Sequence, residues 1–263
     1  MSVMERPQKY RMQPMSKIDA HYGPLIHADG VFLEQDMIMD YKAILFGSIG
    51  TLVETSELQR RAFNQAFTEA GLDWNWSVEN YRLLLTKSGG CERIKDFAAE
   101  RGIEVDAEQL HHKKTIIFDR LMSSENILLR PGAASIVRHA LDNGLKLGFA
   151  TNTSEANVDA VFCAIANQIN RSYFDFIGND KIASNSKPNP EIYLKALSEL
   201  HLDGQDCIAI EDTQVSMHAA LAAGIRCIAF PGAFAEDNDF SGAELVTQRL
   251  CISDLSTLAN AAL

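Results

Sequence analysis

No stretch of the 263-residue sequence approaches the roughly eighteen consecutive apolar residues that a membrane-spanning helix needs. The N-terminal Arg6, Lys9 and Arg11 are not followed by the apolar run of a secretory leader. A membrane partner is therefore not expected. Basic charge is also scarce: 24 lysines and arginines face 35 aspartates and glutamates, a formal net charge of −11. That balance repels polyanions and argues against nucleic acid as a partner. Cysteine is sparse and scattered, at positions 91, 163, 207, 227 and 251, with no CxxC pair. Neither a metal–thiolate cluster nor a disulfide framework is expected, and reduced, mostly buried thiols in a cytoplasmic protein are the reading.

What is present is an ordinary globular mixture, 46% hydrophobic and 22% charged, in a length that suits one large domain or two smaller ones. Residues 1–40 stand apart. Three prolines within the first 36 residues, mixed charge and no helical or alternating period mark them as an N-terminal extension outside the core. A disordered tail is the default reading, and an arm that packs on a partner is the alternative.

From Tyr41 the pattern changes. KAILF is a short β-rich apolar run, and the glycines of the following GSIGTL mark a turn. Similar runs recur as LKLGFA (145–150), YFDFIG (173–178), CIAIED (207–212) and IRCIAF (225–230), with helical stretches between them. Alternating strands and helices predict an α/β fold, a parallel sheet with right-handed crossovers. The exception lies between Glu54 and Leu129, where the pattern is helical throughout. Leu58, Ala62, Phe63, Ala66, Phe67 and Ala70 form one stripe, with a capping-box pattern at Ser56 and Gln59 and a stop at Gly71. A later helix is predicted to start at Asp106, with Gln109 in the matching position and Leu110, Ile117 and Leu121 on its apolar face. The predicted organisation is thus a core made of 41–54 and 129–263, and an all-helical cap over 55–128 inserted after the first strand. Ligands of open α/β sheets bind at the carboxyl ends of the strands, so such an insertion would cover the site and swing on hinges near Glu54 and Leu129.

Polar residues collect at those strand ends: the GSIGTL loop, Thr151 with Asn152, Lys187 in SKPNP, and Glu211 with Asp212. Each has a structural alternative, since Thr and Asn are common at turns and helix caps, a lysine between prolines is usually solvated, and an acidic pair often caps the next helix.

Taken in order, FGSIGTLVET, FATNTS, KPNPEIY and IEDTQVSMHAALAAG resemble the four motifs of the haloacid dehalogenase (HAD) superfamily. The similarity is to its phosphoglucomutase-like branch with a helical cap, in particular the CbbY-like sugar bisphosphate phosphatases. It runs from about Tyr41 to about Leu255 and includes ELQRRAFNQAF, SGGCERI and FSGAELV. The resemblance implies a HAD-like (Rossmannoid) fold and an aspartyl-phosphate mechanism. An aspartate at the first position of the GSIGTL loop would be the nucleophile and a second, two residues later, the general acid/base. This sequence has Gly47 and Ile49 there. If the strand alternation continues, both face the pocket and Ser48 faces away.

The same resemblance makes Thr151, Asn152 and Lys187 the phosphate-binding set, and Glu211 and Asp212 the remaining ligands of a Mg²⁺ ion. Gln59 and Cys91 depart from the histidine and lysine often found in relatives, and Ser216 from a glycine. With both aspartates missing, the expected function is a phosphatase-like protein without the family's catalytic activity. It would require no cofactor and keep a pocket for phosphate or a phosphorylated small molecule. Lys187 is expected to pair with Glu211, Asp212 or a bound anion. Two alternatives stay open: a divalent-metal-dependent hydrolase using a metal-bound water, and a regulatory or structural subunit acting on a protein partner.

Overall fold

The computed structural model describes residues 41–47, 49–85 and 89–255. The expectations for the extension 1–40 and for Ser48 fall outside them.

Six strands form one sheet, β1 (Ala43–Phe46), β2 (Lys146–Phe149), β3 (Phe176–Ile177), β4 (Cys207–Glu211), β5 (Arg226–Ala229) and β6 (Leu245–Val246). Their order is β3-β2-β1-β4-β5-β6 and every pairing is parallel. The helices are α1 (Ile49–Leu52), α2 (Ser56–Glu69), α3 (Val78–Leu84), α4 (Gly90–Ala99), α5 (Ala107–Ser124), α6 (Ala133–Asp142), α7 (Glu155–Ala164), α8 (Glu191–Leu200) and α9 (Gln214–Ala222). The central strand β1 is buried at all four positions because both faces of the sheet are covered. Ile44 and Phe46 join one apolar cluster, while Ala43 and Leu45 join a second with Ile192, Tyr193 and Leu197 of α8. The short β6, within FSGAELV, extends the sheet beyond the runs read as strands in the sequence.

The α2–α5 segment shares its interior with the first cluster: Phe63, Phe67, Trp74, Trp76 and Phe97 are continuous with Ile44 and Phe46. Helix α5 also contacts α7. The two chain crossings meet in an antiparallel bridge, Val53 against Leu129, and Arg130 N–H donates to the Leu52 carbonyl at 2.7 Å. The Arg130 guanidinium then donates to the carbonyls of Gly50 (2.8 Å), Phe230 (2.7 Å) and Pro231 (2.6 Å). A further contact lies opposite: Arg82 of α3 donates to the Ala233 carbonyl at 3.1 Å, and Tyr81 meets Phe234 edge-on at 5.7 Å.

Helix α5 begins as expected, with the Asp106 carboxylate accepting the Gln109 N–H at 2.9 Å. Helix α2 does not. Ser56 is its first residue rather than its cap, and the Ser56 N–H goes to the Glu54 carboxylate at 2.8 Å. The Gln59 side chain, expected to complete a capping box, accepts instead from the buried Lys114 ammonium. A buried ammonium has more need of an acceptor than a helix end that a local carboxylate already serves.

Candidate functional site

The parallel register aligns Phe46 with both Phe149 and Ile210, so the segments after β1, β2 and β4 emerge at one edge of the sheet. Gly47, Thr151, Glu211 and Asp212 follow from that alignment. Lys187 comes from the loop before α8 and Tyr193 from the first turn of α8.

Lys187 and Glu211 are 6% and 0% exposed. The Lys187 Nζ donates to Glu211 Oε1 at 2.7 Å and also to the Gly47 carbonyl. Tyr193 donates its hydroxyl to the same Glu211 oxygen at 2.6 Å, and the ammonium lies 4.9 Å from the centre of the Tyr193 ring. Of the partners open to Lys187 from the sequence, the structure selects Glu211. Burial pushes the Glu211 carboxyl up from its ordinary value, against the lowering pull of Lys187 and the Tyr193 hydroxyl. Burial and the adjacent Glu211 also hold the Tyr193 hydroxyl well above the usual phenol range.

Gly47 is what makes room for this arrangement. A Cβ built there would lie 2.0 Å from Glu211 Oε1 and 2.3 Å from Tyr193 Oη. The carboxylate and the phenol therefore fill the space into which a side chain at position 47 would project. Gly50 plays the same part for Asp212, whose Oδ2 lies 1.8 Å from the Cβ that Gly50 lacks. For Ile49 the strand alternation on which the expectation rested does not apply. Strand β1 ends at Phe46 and residues 49–52 form a helical turn, so the two-residue alternation stops before position 49. Ile49 is 8% exposed and belongs to the apolar cluster.

Thr151 is buried, and its hydroxyl oxygen accepts the Thr153 N–H at 3.2 Å. The side-chain oxygen and nitrogen of Asn152 are both buried and have no hydrogen-bond partner among the described residues, and the same holds for Glu211 Oε2. Unmet buried polar atoms are costly, and three at one strand edge mark a place that a polar ligand would satisfy. A Mg²⁺ ion fits the donors poorly. One oxygen of Glu211 is committed to an ammonium and a phenol, position 47 offers no carboxylate, and no group of three metal-ligating side chains occurs among the described residues. Mg²⁺ asks for near-octahedral oxygen ligands, of which this set supplies few.

A second buried polar group lies in the helical segment. Lys114, 3% exposed, donates to the Gln59 amide oxygen and lies 4.9 Å from the ring centres of both Phe63 and Phe118. Burial, reinforced by Arg93, lowers its pKa to about 7. Burial followed by Lys114 and Arg93 lowers His111 to about 4. Arg93, 8% exposed, donates to the Leu84 carbonyl at 2.8 Å. Cys91 is half-buried, and burial raises its thiol.

Sequence reasoning missed Tyr193 and Lys114. Both carried a signal: each is a polar residue on an otherwise apolar helical stripe, Tyr193 beside Ile192, Ala196 and Leu200, Lys114 between Leu110 and Ile117.

A family model of haloacid dehalogenase-like hydrolases matches residues 41–224. Protein CbbY of Cereibacter sphaeroides is 41% identical over 206 residues, covering 77% of this chain and 90% of that protein. Protein CbbY of Rhodobacter capsulatus is 37% identical over 228 residues, covering 86% and 98%. Among solved structures, CbbY from Rhodobacter sphaeroides in complex with phosphate is 40% identical, with a TM-score of 0.74 over 80% of this chain and 94% of that one.

Proposed function

This chain belongs to the haloacid dehalogenase-like hydrolase family, and on that premise we propose that it is a member without the family's catalytic activity, which binds a phosphorylated small molecule. The observation that carries the reading is the Glu211 carboxylate, held by Lys187 and Tyr193 in the space beside Gly47. In the aspartyl-phosphate mechanism that space belongs to the nucleophile. Glycine cannot be phosphorylated and Ile49 cannot exchange a proton, so neither chemical step has its residue. Loss of acid/base help typically costs about 10²- to 10⁴-fold, and loss of a nucleophile from a cooperating set about 10⁶-fold.

Thr151, Asn152 and Lys187 remain as the proposed anion cradle. The buried amide of Asn152, which has no partner among the described residues, supports it, because a phosphoryl oxygen would accept from its nitrogen. Residues 55–128 act in this reading as a cap over the cradle, hinged where Val53 meets Leu129. A sugar bisphosphate is the ligand class proposed, since CbbY from Rhodobacter sphaeroides has been crystallised with phosphate and, as a mutant, with xylulose-1,5-bisphosphate. Hydrolysis through a metal-bound water on Glu211 and Asp212 is the competing reading, and the commitment of Glu211 to Lys187 weighs against it.

Xylulose-1,5-bisphosphate supplied with Mg²⁺ separates the two. The expected outcome is saturable binding by calorimetry and no phosphate release. Mg²⁺-dependent release by the wild-type protein, abolished by Asp212→Ala, would establish the competing reading.

A further inference from the structure

Glu211 stands against the cradle, bonded to its Lys187. It is wholly buried, its Oε1 takes the Lys187 ammonium at 2.7 Å and the Tyr193 hydroxyl at 2.6 Å, and it rests where any side chain at Gly47 would stand. An ammonium paired in this way offers little to a second anion at the same place. The incoming charge gains its attraction to Lys187 while meeting the repulsion of Glu211 at a similar distance and in the same low-dielectric surroundings.

We propose that Glu211 is a built-in occupant of the anion site, an autoinhibitory carboxylate anchored by Tyr193, which an external phosphoryl group must displace from Lys187 before it can bind. The inference rests on the anion-binding reading above and adds how that site is held closed. Gly47 is then the residue that admits the occupant, and Tyr193 is a positioning residue that holds it. The backbone supports a fixed anchor: Glu211 ends β4, its carbonyl accepts the Phe230 N–H at 2.6 Å, and only the side chain needs to swing.

The test is calorimetric titration of the full-length protein with inorganic phosphate at one pH and with a chelator present. Glu211→Gln keeps the shape and removes the charge. It is expected to tighten phosphate binding by about a few hundredfold, the effect of deleting one unit charge about 5 Å away at an effective dielectric near 20. Tyr193→Phe, which leaves the carboxylate but loosens it, is expected to tighten binding about threefold. Thr151→Val should weaken binding in every background, which locates the anion in the cradle.

Equal or weaker binding in Glu211→Gln, with Thr151→Val still harmful, would overturn the occupant and leave the cradle standing. No phosphate binding in any of the proteins would overturn the anion-binding reading and the occupant with it. Should Glu211→Gln fail to fold, as circular dichroism would show, Tyr193→Phe decides alone: tighter binding supports the occupant and unchanged binding overturns it.

Discussion

Lys187 and Lys114 are both buried to within a few per cent of completely, and they are treated in opposite ways. Lys187, at the sheet edge, has a carboxylate, a backbone carbonyl and an aromatic face. Lys114, among the inserted helices, has an amide oxygen and two phenyl rings, and among the described residues no carboxylate pairs with it. The consequence is that Lys114 is pushed to a pKa of about 7, where it can shed its proton cheaply. Burial alone therefore does not dictate the fate of an ammonium; the partner within reach does.

The largest way to break the contrast is to remove the cation at each place. Lys187→Met strands Glu211 in a site with no exposure, and is expected to cost about 3–5 kcal/mol in urea unfolding. Adding Glu211→Leu should return most of that loss, since replacing both members of a buried pair by apolar groups is often close to neutral. Lys114→Met should behave in the opposite sense. In the fold Lys114 titrates near 7 and in the unfolded chain near 10.5, so between those values the unfolded chain binds the extra proton. Stability contributed by this residue thus rises with pH through that window, by a few kcal/mol. Unfolding measured across it should show the rise in wild type and a flattened profile in Lys114→Met, which should be the more stable of the two at the acid end. A profile that Lys114→Met leaves unchanged would show that the lysine keeps its proton and that the rings and Gln59 suffice.

Smaller effects sharpen the Lys187 side. Gly47→Ala drives a methyl into Glu211 Oε1 and Tyr193 Oη and is expected to cost about 1–3 kcal/mol by thermal unfolding, with most of the effect lost once Glu211→Ala and Tyr193→Phe are combined with it. Tyr193→Phe removes one of two donors to Glu211 and should cost about 1 kcal/mol.

Much of the fold was legible in the chain. KAILF, LKLGFA, CIAIED and IRCIAF each contain a strand of the parallel sheet, and the segment between Glu54 and Leu129 is helical as its stripes predict. YFDFIG shrank to two residues and β6 went unread, because edge strands are short and carry little period. At the site, Gly47, Thr151, Glu211 and Asp212 emerge together at one edge of the sheet, and Lys187 reaches Glu211 from the loop before α8. The alternation read for Gly47 and Ile49 does not extend to Ile49, since the strand ends at Phe46 and the chain is helical from position 49. The Ser56–Gln59 capping box failed because Lys114, fifty-five residues along the chain, claimed the Gln59 side chain.

By itself the sequence determined that position 47 has no side chain, that Thr151, Asn152, Glu211 and Asp212 stand at strand ends, and that the sheet is parallel; Lys187, read there as a strand-end residue, lies instead in the loop before α8. These follow from residue type and local period. What fills the void at Gly47 was decided only by the tertiary structure. Lys187 is 140 residues from Gly47 and 24 from Glu211, and the choice of Glu211 over Asp212, like the recruitment of Tyr193, depends on side chains converging from separate elements. No local pattern encodes such a meeting: the void is written at one position, and the carboxylate that occupies it at another.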